Sequence, residues 1–180
     1  AAKPFLEVNC GGLPESLLER LLFGHEKGAF TGAMQASAGY FEKVNGGNLF
    51  LDEIPDMSPK LQSSLLRVLQ DQSYKRIGST QPRKADFRLI CATNRSLRAE
   101  VKAGRFREDL YYLIAVVAIR LPPRDRTGDV VSLAMHFLDR YNLKFGKQCG
   151  PLTTSAVELL ERCRWEGNVR QLQHCMERAV

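Results

Sequence analysis

Two adjacent carboxylates, Asp52 and Glu53, close the run Gly47-Asn48-Leu49-Phe50-Leu51. An apolar run of this length reads as a buried strand. Open α/β sheets hold their ligands at the carboxyl ends of their strands. Acids placed there suit phosphate chemistry, one supporting magnesium through water and the next orienting an attacking water. The same residues also fit a strand that ends in an acidic turn, and the pair by itself does not separate the two. Thr93-Asn94 closes a second apolar run on the same edge, although Asn94 taken singly reads as a turn residue. Gly28-Ala29-Phe30-Thr31-Gly32-Ala33 brackets an aromatic ring and a hydroxyl between glycines. That composition suits a mobile tip presenting one large side chain. It suits an ordinary tight turn with Phe30 tucked into the core better still.

The elements that must position these residues alternate in type. Residues 3–9 read as a short strand broken by Gly11-Gly12. Pro14 opens a helix with Leu17, Leu18, Leu21 and Leu22 as its stripe, and Gly24 ends it. Gly39-Tyr40-Phe41 leads back toward the core, and Asn45-Gly46-Gly47 turns into the acid-tipped strand. Ser58-Pro59 pairs an N-cap with proline at N1, and Leu61, Leu65, Val68 and Leu69 form one helical face. Residues 74–78 and 87–92 read as strands joined by the polar segment 79–86, a hairpin-like insertion. A short helix over 97–103 stops at Gly104, and another begins within 105–110. The β-branched run 115–119 reads as a buried strand. The composition changes between Leu121 and Asp129, which places a domain boundary there. The rest is helical: Asp129, Thr153 or Thr154, and Asn168 are candidate caps. Val130, Leu133, Phe137 and Tyr141 face inward on the first helix, and Ala156, Leu159, Leu160 and Cys163 on the second. Gln171, three residues after Asn168, resembles a capping box. Strands alternating with helices, then helices only, predict an α/β domain followed by a small all-α lid.

The chain has 180 residues, 44% of them hydrophobic, enough for one cored domain with a small appendage. A net charge of +6 fits a polyanion partner, but the basic residues are scattered, with their densest cluster at residues 120–126. Five cysteines far apart, with no CxxC pair, argue against a disulfide framework. The histidines have no metal-ligand spacing, so zinc is not expected. A reducing cytoplasm is the simplest setting. No signal peptide and no apolar run long enough to span a membrane occur.

In order along the chain stand Leu22-Phe23-Gly24-His25-Glu26-Lys27-Gly28-Ala29-Phe30-Thr31-Gly32-Ala33, then Gly46-Gly47-Asn48-Leu49-Phe50-Leu51-Asp52-Glu53-Ile54. Cys91-Ala92-Thr93-Asn94, Phe106-Arg107-Glu108-Asp109-Leu110 and Trp165-Glu166-Gly167-Asn168-Val169-Arg170 follow. In these segments, which cover nearly its whole length, the chain resembles the central AAA+ ATPase domain of bacterial enhancer-binding proteins, the sigma-54-dependent transcription activators. The resemblance implies an AAA+ α/β subdomain over residues 1–121 and a helical lid over 129–180. It makes Asp52 and Glu53 the Walker B acids, with Asp52 supporting Mg2+ and Glu53 polarising the water that attacks ATP. It makes Asn9 the asparagine that hydrogen-bonds this glutamate, an amide being able to donate to a carboxylate without adding charge. Asn94 matches sensor I, and Arg170 on the lid matches sensor II. Arg107 matches an arginine finger for a neighbouring subunit's site; an ion pair with Glu108 or Asp109 is the other reading of that residue. Gly28 to Ala33, with Phe30 and Thr31 at the tip, match the loop that touches sigma-54. Residues 74–87 match a second loop near the pore of a hexameric or heptameric ring. The implied activity is ATP-dependent activation of sigma-54 RNA polymerase. The alternative is a non-hydrolysing domain that binds sigma-54 or joins rings. DNA would be met through a separate domain.

The sequence departs from that family in places. No GxxxxGK[ST] occurs, so the chain reads as a piece in which the P-loop and its strand lie upstream. The resemblance puts that strand between the runs ending at Asn94 and beginning near Val116, and negligible ATP hydrolysis is expected of these residues by themselves. Leu113 stands where many members carry a second arginine. Arg20-Leu21 stand where Ser-Glu is common, Ala115 replaces asparagine, and Glu166 replaces a proline. The run from Leu121 to Arg126 is one residue shorter than usual.

Overall fold

Gly47–Asp52 alternates buried and half-buried positions along its length: Gly47, Leu49 and Leu51 point one way, Asn48, Phe50 and Asp52 the other. In the computed structural model, which describes residues 3–121 and 129–180, this run is strand β4 of a three-stranded parallel sheet ordered β1-β4-β7. Strand β1 is Phe5–Asn9, and β7 is Phe87–Cys91. The register aligns Leu6, Leu49 and Leu89 on one face, and then Val8, Leu51 and Cys91. That face carries the core. The other bears Phe5, Glu7, Phe50 and Ile90, with Phe5 stacked on Phe50 at 6.4 Å and Ile90 exposed. The expectation of a strand buried on both faces is therefore corrected. Among the described residues the packed core lies against one face, so the apolar run alternates in burial although its composition does not.

Parallel strands need crossovers, and helices supply them. Helix α1 (Glu15–Phe23) follows β1 and buries Leu18 and Leu22. A two-residue pair, β2 (Gly24–His25) with β3 (Ser37–Ala38), closes the stem of the glycine-bracketed loop. A Cβ on Gly24, whose φ is +70°, would meet the Ser37 carbonyl oxygen at 2.4 Å, so only glycine fits that approach. The short helix α2 (Tyr40–Lys43) buries Phe41 completely, edge-on to Phe23 and stacked on Phe87. After β4 a 3-10 turn (Ile54–Asp56) leads to helix α3 (Pro59–Asp71), capped by Ser58 Oγ accepting from Leu61 N–H. Leu61, Leu65, Leu66 and Val68 are buried on α3. Each such side chain contributes about 1.5–3 kcal/mol of burial, so Leu65→Ala would cost about 2–5 kcal/mol.

The insertion is a hairpin, but a shorter one than the sequence suggests: β5 (Ser73–Tyr74) pairs antiparallel with β6 (Arg83–Lys84). Ile77, expected inside the first strand, instead bridges His25. Helices α4 (Leu97–Lys102) and α5 (Glu108–Ile114) follow β7.

Residues 115–119 are not a strand. Val116, Val117 and Ile119 are about four-fifths exposed. A β-branched run forms a strand only where a neighbouring strand takes its backbone hydrogen bonds. Among the described residues, none pairs with it.

The described residues divide into two units, Ala1–Ala118 and Ile119–Val180. The expected boundary at Leu121–Asp129, the core of the basic cluster and the shortened proline segment fall largely on residues 122–128, outside the description. The second unit holds α6 (Asp129–Phe145), α7 (Thr154–Arg162) and α8 (Asn168–Ala179) around Val130, Ala134, Phe137, Tyr141, Leu172 and Met176. Thr153 caps α7, accepting from Ala156 N–H. Leu159 and Cys163, expected inward, are exposed; of α7, Leu160 packs against that core while Ala156 and Val157 are half-buried. Gly167, not Asn168, occupies the cap position of α8; Asn168 has φ +51°, and Gln171 Oε1 accepts from Gly167 N–H at 3.0 Å. The capping box expected from Asn168 is therefore not formed; only the bond from Gly167 to Gln171, four residues on, is present.

Candidate functional site

Three strand ends meet at one edge of the sheet. Asn9 lies opposite Asp52 in the β1–β4 register, and Cys10 N–H donates to the Asp52 carbonyl at 2.9 Å. Ala92 N–H donates to the Leu51 carbonyl, and Ile54 N–H to the Ala92 carbonyl. Asn94 emerges two residues beyond Ala92, exposed, on that same edge. The pleat sends Asp52 to the face opposite the core, and its carboxylate stays half-exposed.

Asp52 Oδ1 accepts from Glu53 N–H at 3.0 Å, and among the described residues Oδ2 has no hydrogen-bond partner. Glu53 is left-handed, with φ +52° and ψ +45°. Long side chains rarely adopt that conformation, and backbone strain of this kind clusters at sites where a side chain must be aimed. Among the described residues the Glu53 carboxylate has no hydrogen-bond partner. The bond expected from Asn9 is not formed. Asn9 Oδ1 accepts from Gly11 N–H and Gly12 N–H, each at 2.9 Å, in a turn that fixes its carboxamide. A Cβ at Gly11 would sit 2.3 Å from Asp56 Oδ2, so a larger residue there would push the Asp56 carboxylate aside.

Burial raises the neighbouring thiols. Cys10 is pushed up to about 12, with the Asp52 charge adding to it, and Cys91 likewise to about 12, with Cys10 adding to it. Both stay protonated at neutral pH and serve as core.

Arg107 precedes α5. Its guanidinium forks onto Asp109, Nε to Oδ1 at 3.0 Å and Nη2 to Oδ2 at 2.6 Å, while Nη1 donates to Ser63 Oγ at 3.1 Å. The fork holds the Asp109 carboxyl below, and the Arg107 guanidinium above, its usual range. The ion pair with Asp109 that the sequence offered as the second reading of Arg107 is present, on an exposed surface. Leu113 is half-exposed on α5.

The glycine-bracketed loop turns back on itself. Gly28 N–H donates to the Ala33 carbonyl and Ala33 N–H to the Phe30 carbonyl, with Gly28 and Gly32 at φ +78° and +94°. Thr31 and Gly32 are exposed, Ala29 is half-buried, and Ala33 is buried. Phe30 is not in the core. Its ring rests 4.9 Å from that of His25, and the Arg20 guanidinium carbon lies 4.7 Å over it. The stem is tied to the hairpin insertion through Glu26 N–H to the Ile77 carbonyl and Ile77 N–H to the Gly24 carbonyl.

A charged cluster joins these two loops. Arg76 bonds Glu42 through Nε and Nη2 and Glu26 through Nη1, Arg83 Nη1 reaches Glu42, and Tyr74 O–H donates to Glu42 Oε2. Arg76 chiefly holds the Glu42 carboxyl below the usual range. Burial pushes Tyr74 up to about 12, aided by Glu42. No spacing in the sequence marks this cluster, whose members come from separate elements.

Arg170 lies in the first turn of α8, exposed, in the second unit. No helix among the described residues is long and apolar enough to cross a membrane, and no group of three potential metal ligands occurs among them.

Residues 1–120 match the sigma-54 interaction domain, and residues 124–180 the AAA+ ATPase lid domain. The chain belongs to the sigma-54 interaction domain family. It is 54% identical over 181 residues to the Nif-specific regulatory protein of Azospirillum brasilense, covering 98% of this chain and 28% of that protein. To that of Azotobacter vinelandii it is 52% identical over 184 residues, covering 100% and 34%. The chain thus spans about a third of the length of these curated relatives. Among solved structures, NtrX from Brucella abortus matches with a TM-score of 0.90 at 34% identity, covering 97% of this chain and 39% of that one. The structure of NtrX in complex with ATP matches with a TM-score of 0.87 at 35% identity. The fold is accordingly the AAA+ α/β fold with a helical lid.

Proposed function

We propose that these residues form the acid edge, partner-binding loop and lid of an ATP-driven sigma-54 activator, with residues 1–121 as the ATPase subdomain and 129–180 as the lid. The observation that carries the reading is the register that sets Asn9 beside Asp52 and Cys91 beside Leu51, so that Asp52, Glu53 and Asn94 follow strand ends on one edge. The donor set fits the metal end of a magnesium nucleotide: among the described residues, Asp52 Oδ2 and both Glu53 carboxylate oxygens have no hydrogen-bond partner. The cradle for the phosphates is not offered by this sequence, which contains no GxxxxGK[ST]. Bound MgATP supplies the phosphoryl group and its counter-charge. Asp52 would hold the metal's water shell, and Glu53 would take the proton of the attacking water. Asn94 would donate toward the γ-phosphate, and Arg107 would offer a fork of donors to a neighbouring copy in a ring. Arg170 would act from the lid. The exposed residues Thr31 and Gly32, with Phe30 and the rest of residues 28–33, would meet sigma-54 RNA polymerase. The nucleotide-bound NtrX structures and the family's sigma-54 interaction support this reading.

Two substitutions in the full-length protein test it. Glu53→Gln should lower ATP turnover by about a hundredfold or more, since it removes the base. Thr31→Ala should abolish transcription activation and leave turnover near wild type. The competing reading is a non-hydrolysing domain that binds sigma-54 or assembles rings, favoured by Leu113. On that reading Glu53→Gln would lose nothing.

A further inference from the structure

Gln62 is the only fully buried polar side chain among the described residues. It lies on α3, and all its contacts are to main chain. Nε2 donates to the Met57 carbonyl at 2.9 Å and to the Arg105 carbonyl at 3.0 Å; Oε1 accepts from Arg107 N–H at 2.9 Å. Two carbonyl acceptors and one N–H donor admit one orientation of the carboxamide, so amide and oxygen are not interchangeable here. Met57 ends the 3-10 turn Ile54–Asp56 that follows Asp52 and Glu53, and residues 105–107 carry the arginine. The next residue, Ser63, meets the Arg107 guanidinium through Oγ at 3.1 Å and anchors its own hydroxyl on the Pro59 carbonyl at 2.9 Å. A chain of ion pairs through the buried Glu100 runs between the same two segments, from Asp56 to Arg95, Arg95 to Glu100 and Glu100 to Arg105.

We propose that Gln62 and Ser63 are the positioning site of Arg107, Gln62 holding its backbone and Ser63 sharing its guanidinium with Asp109. Through them the arginine offered to one nucleotide site is fixed against the acids of another. The inference rests on the reading of Arg107 as a finger acting in trans. A buried side chain that only filled space would be apolar, because three buried hydrogen bonds net little over packing once their desolvation is counted. What the carboxamide adds is direction: it sets the height of residue 107 relative to residue 57. A misplacement of about 1 Å in such a group costs up to about a hundredfold in rate.

The test uses Gln62→Met, which keeps the volume and removes the bonds, and Ser63→Ala, which removes a half-exposed hydroxyl. In the full-length protein, Gln62→Met should lower kcat by about tenfold or more with KM within about twofold. In an Arg107→Ala background it should lower kcat no further. Hydrogen exchange supplies a readout that needs no turnover: residues 105–108 should exchange faster in Gln62→Met, while residues 64–68 of α3 stay protected. Mixing Gln62→Met with Glu53→Gln subunits should raise turnover above that of either variant by itself, since intact acids then meet intact arginines across the interface. Ser63→Ala should lower kcat a few-fold at constant KM, and it carries the test where Gln62→Met does not fold. Full additivity with Arg107→Ala, unprotected α3, or no recovery on mixing would overturn the proposal. Unchanged turnover in Arg107→Ala itself would overturn the reading beneath it, and the proposal with it.

Discussion

At the scale of single residues, Phe30 answers to Arg20. The arginine stands on α1 one turn before the loop stem, and its guanidinium lies over the aromatic ring while His25 supports the ring's edge. A cation over a ring at an exposed site is worth about 0.5–1 kcal/mol, a factor of about two to five in population. That is enough to bias the loop toward its folded-back position and too little to lock it there. Arg20→Ala should therefore raise the rate at which endoproteinase Lys-C cuts after the exposed Lys27 by about two- to fivefold. A rate equal to wild type would mean that backbone bonds within the loop, not the ring contact, hold it down. Arginine at this position was visible in the sequence as a departure from the usual serine. Its consequence was not, because the contact joins a helix to a loop tip ten residues on.

At the scale of elements, α2 and the β5–β6 hairpin are held together by charge. Glu42 gathers Arg76, Arg83 and Tyr74, and Arg76 extends the cluster to Glu26 beside the loop stem. The folded protein lowers the Glu42 carboxyl below its unfolded value, so the unfolded state binds more protons there. The stability this contributes is full above the ordinary glutamate range and is lost as pH falls through the lowered folded value. Melting temperatures of wild type and Glu42→Gln should differ at about pH 6 and converge as pH falls below the ordinary glutamate range and through the lowered Glu42 value. A difference that persisted into acid would assign the cluster's effect to packing around Phe41 instead. The hairpin was legible as an insertion from Gly78 and Pro82, but its strands were drawn too long. Local β-propensity suited residues 74–78, and pairing stopped after Tyr74 because Ile77 turns to the loop stem.

At the scale of the whole molecule, the five cysteines report which parts are closed. The nucleophile in alkylation is the thiolate, so both burial and a raised pKa slow it. Cys163 and Cys175 are exposed, whereas Cys10 and Cys91 flank β4 with their thiols pushed up to about 12. N-ethylmaleimide at neutral pH should label Cys163 and Cys175 within the native protein, and Cys10 and Cys91 only after denaturation. Mass spectrometry of the digest reads the order directly. Early labelling of Cys10 would show that the strand ends beside Asp52 open readily.

The parallel strands around Asp52 and Glu53, the helix begun by Ser58-Pro59 and the helical second unit were all written in local patterns, because caps, glycines and apolar periodicity act over a few residues. The family, too, was legible in short runs such as residues 28–33. Contacts between distant segments were not: the carboxamide of Gln62 reaching the arginine at 107, Arg76 clasping Glu42, and Asn9 spending its oxygen on Gly11 and Gly12. Nor was the exposure of residues 115–119, whose composition asks for a strand that no described neighbour completes. Hydrogen bonds between segments depend on which backbone groups packing leaves unpaired. Local composition cannot state that, and the tertiary structure decided it.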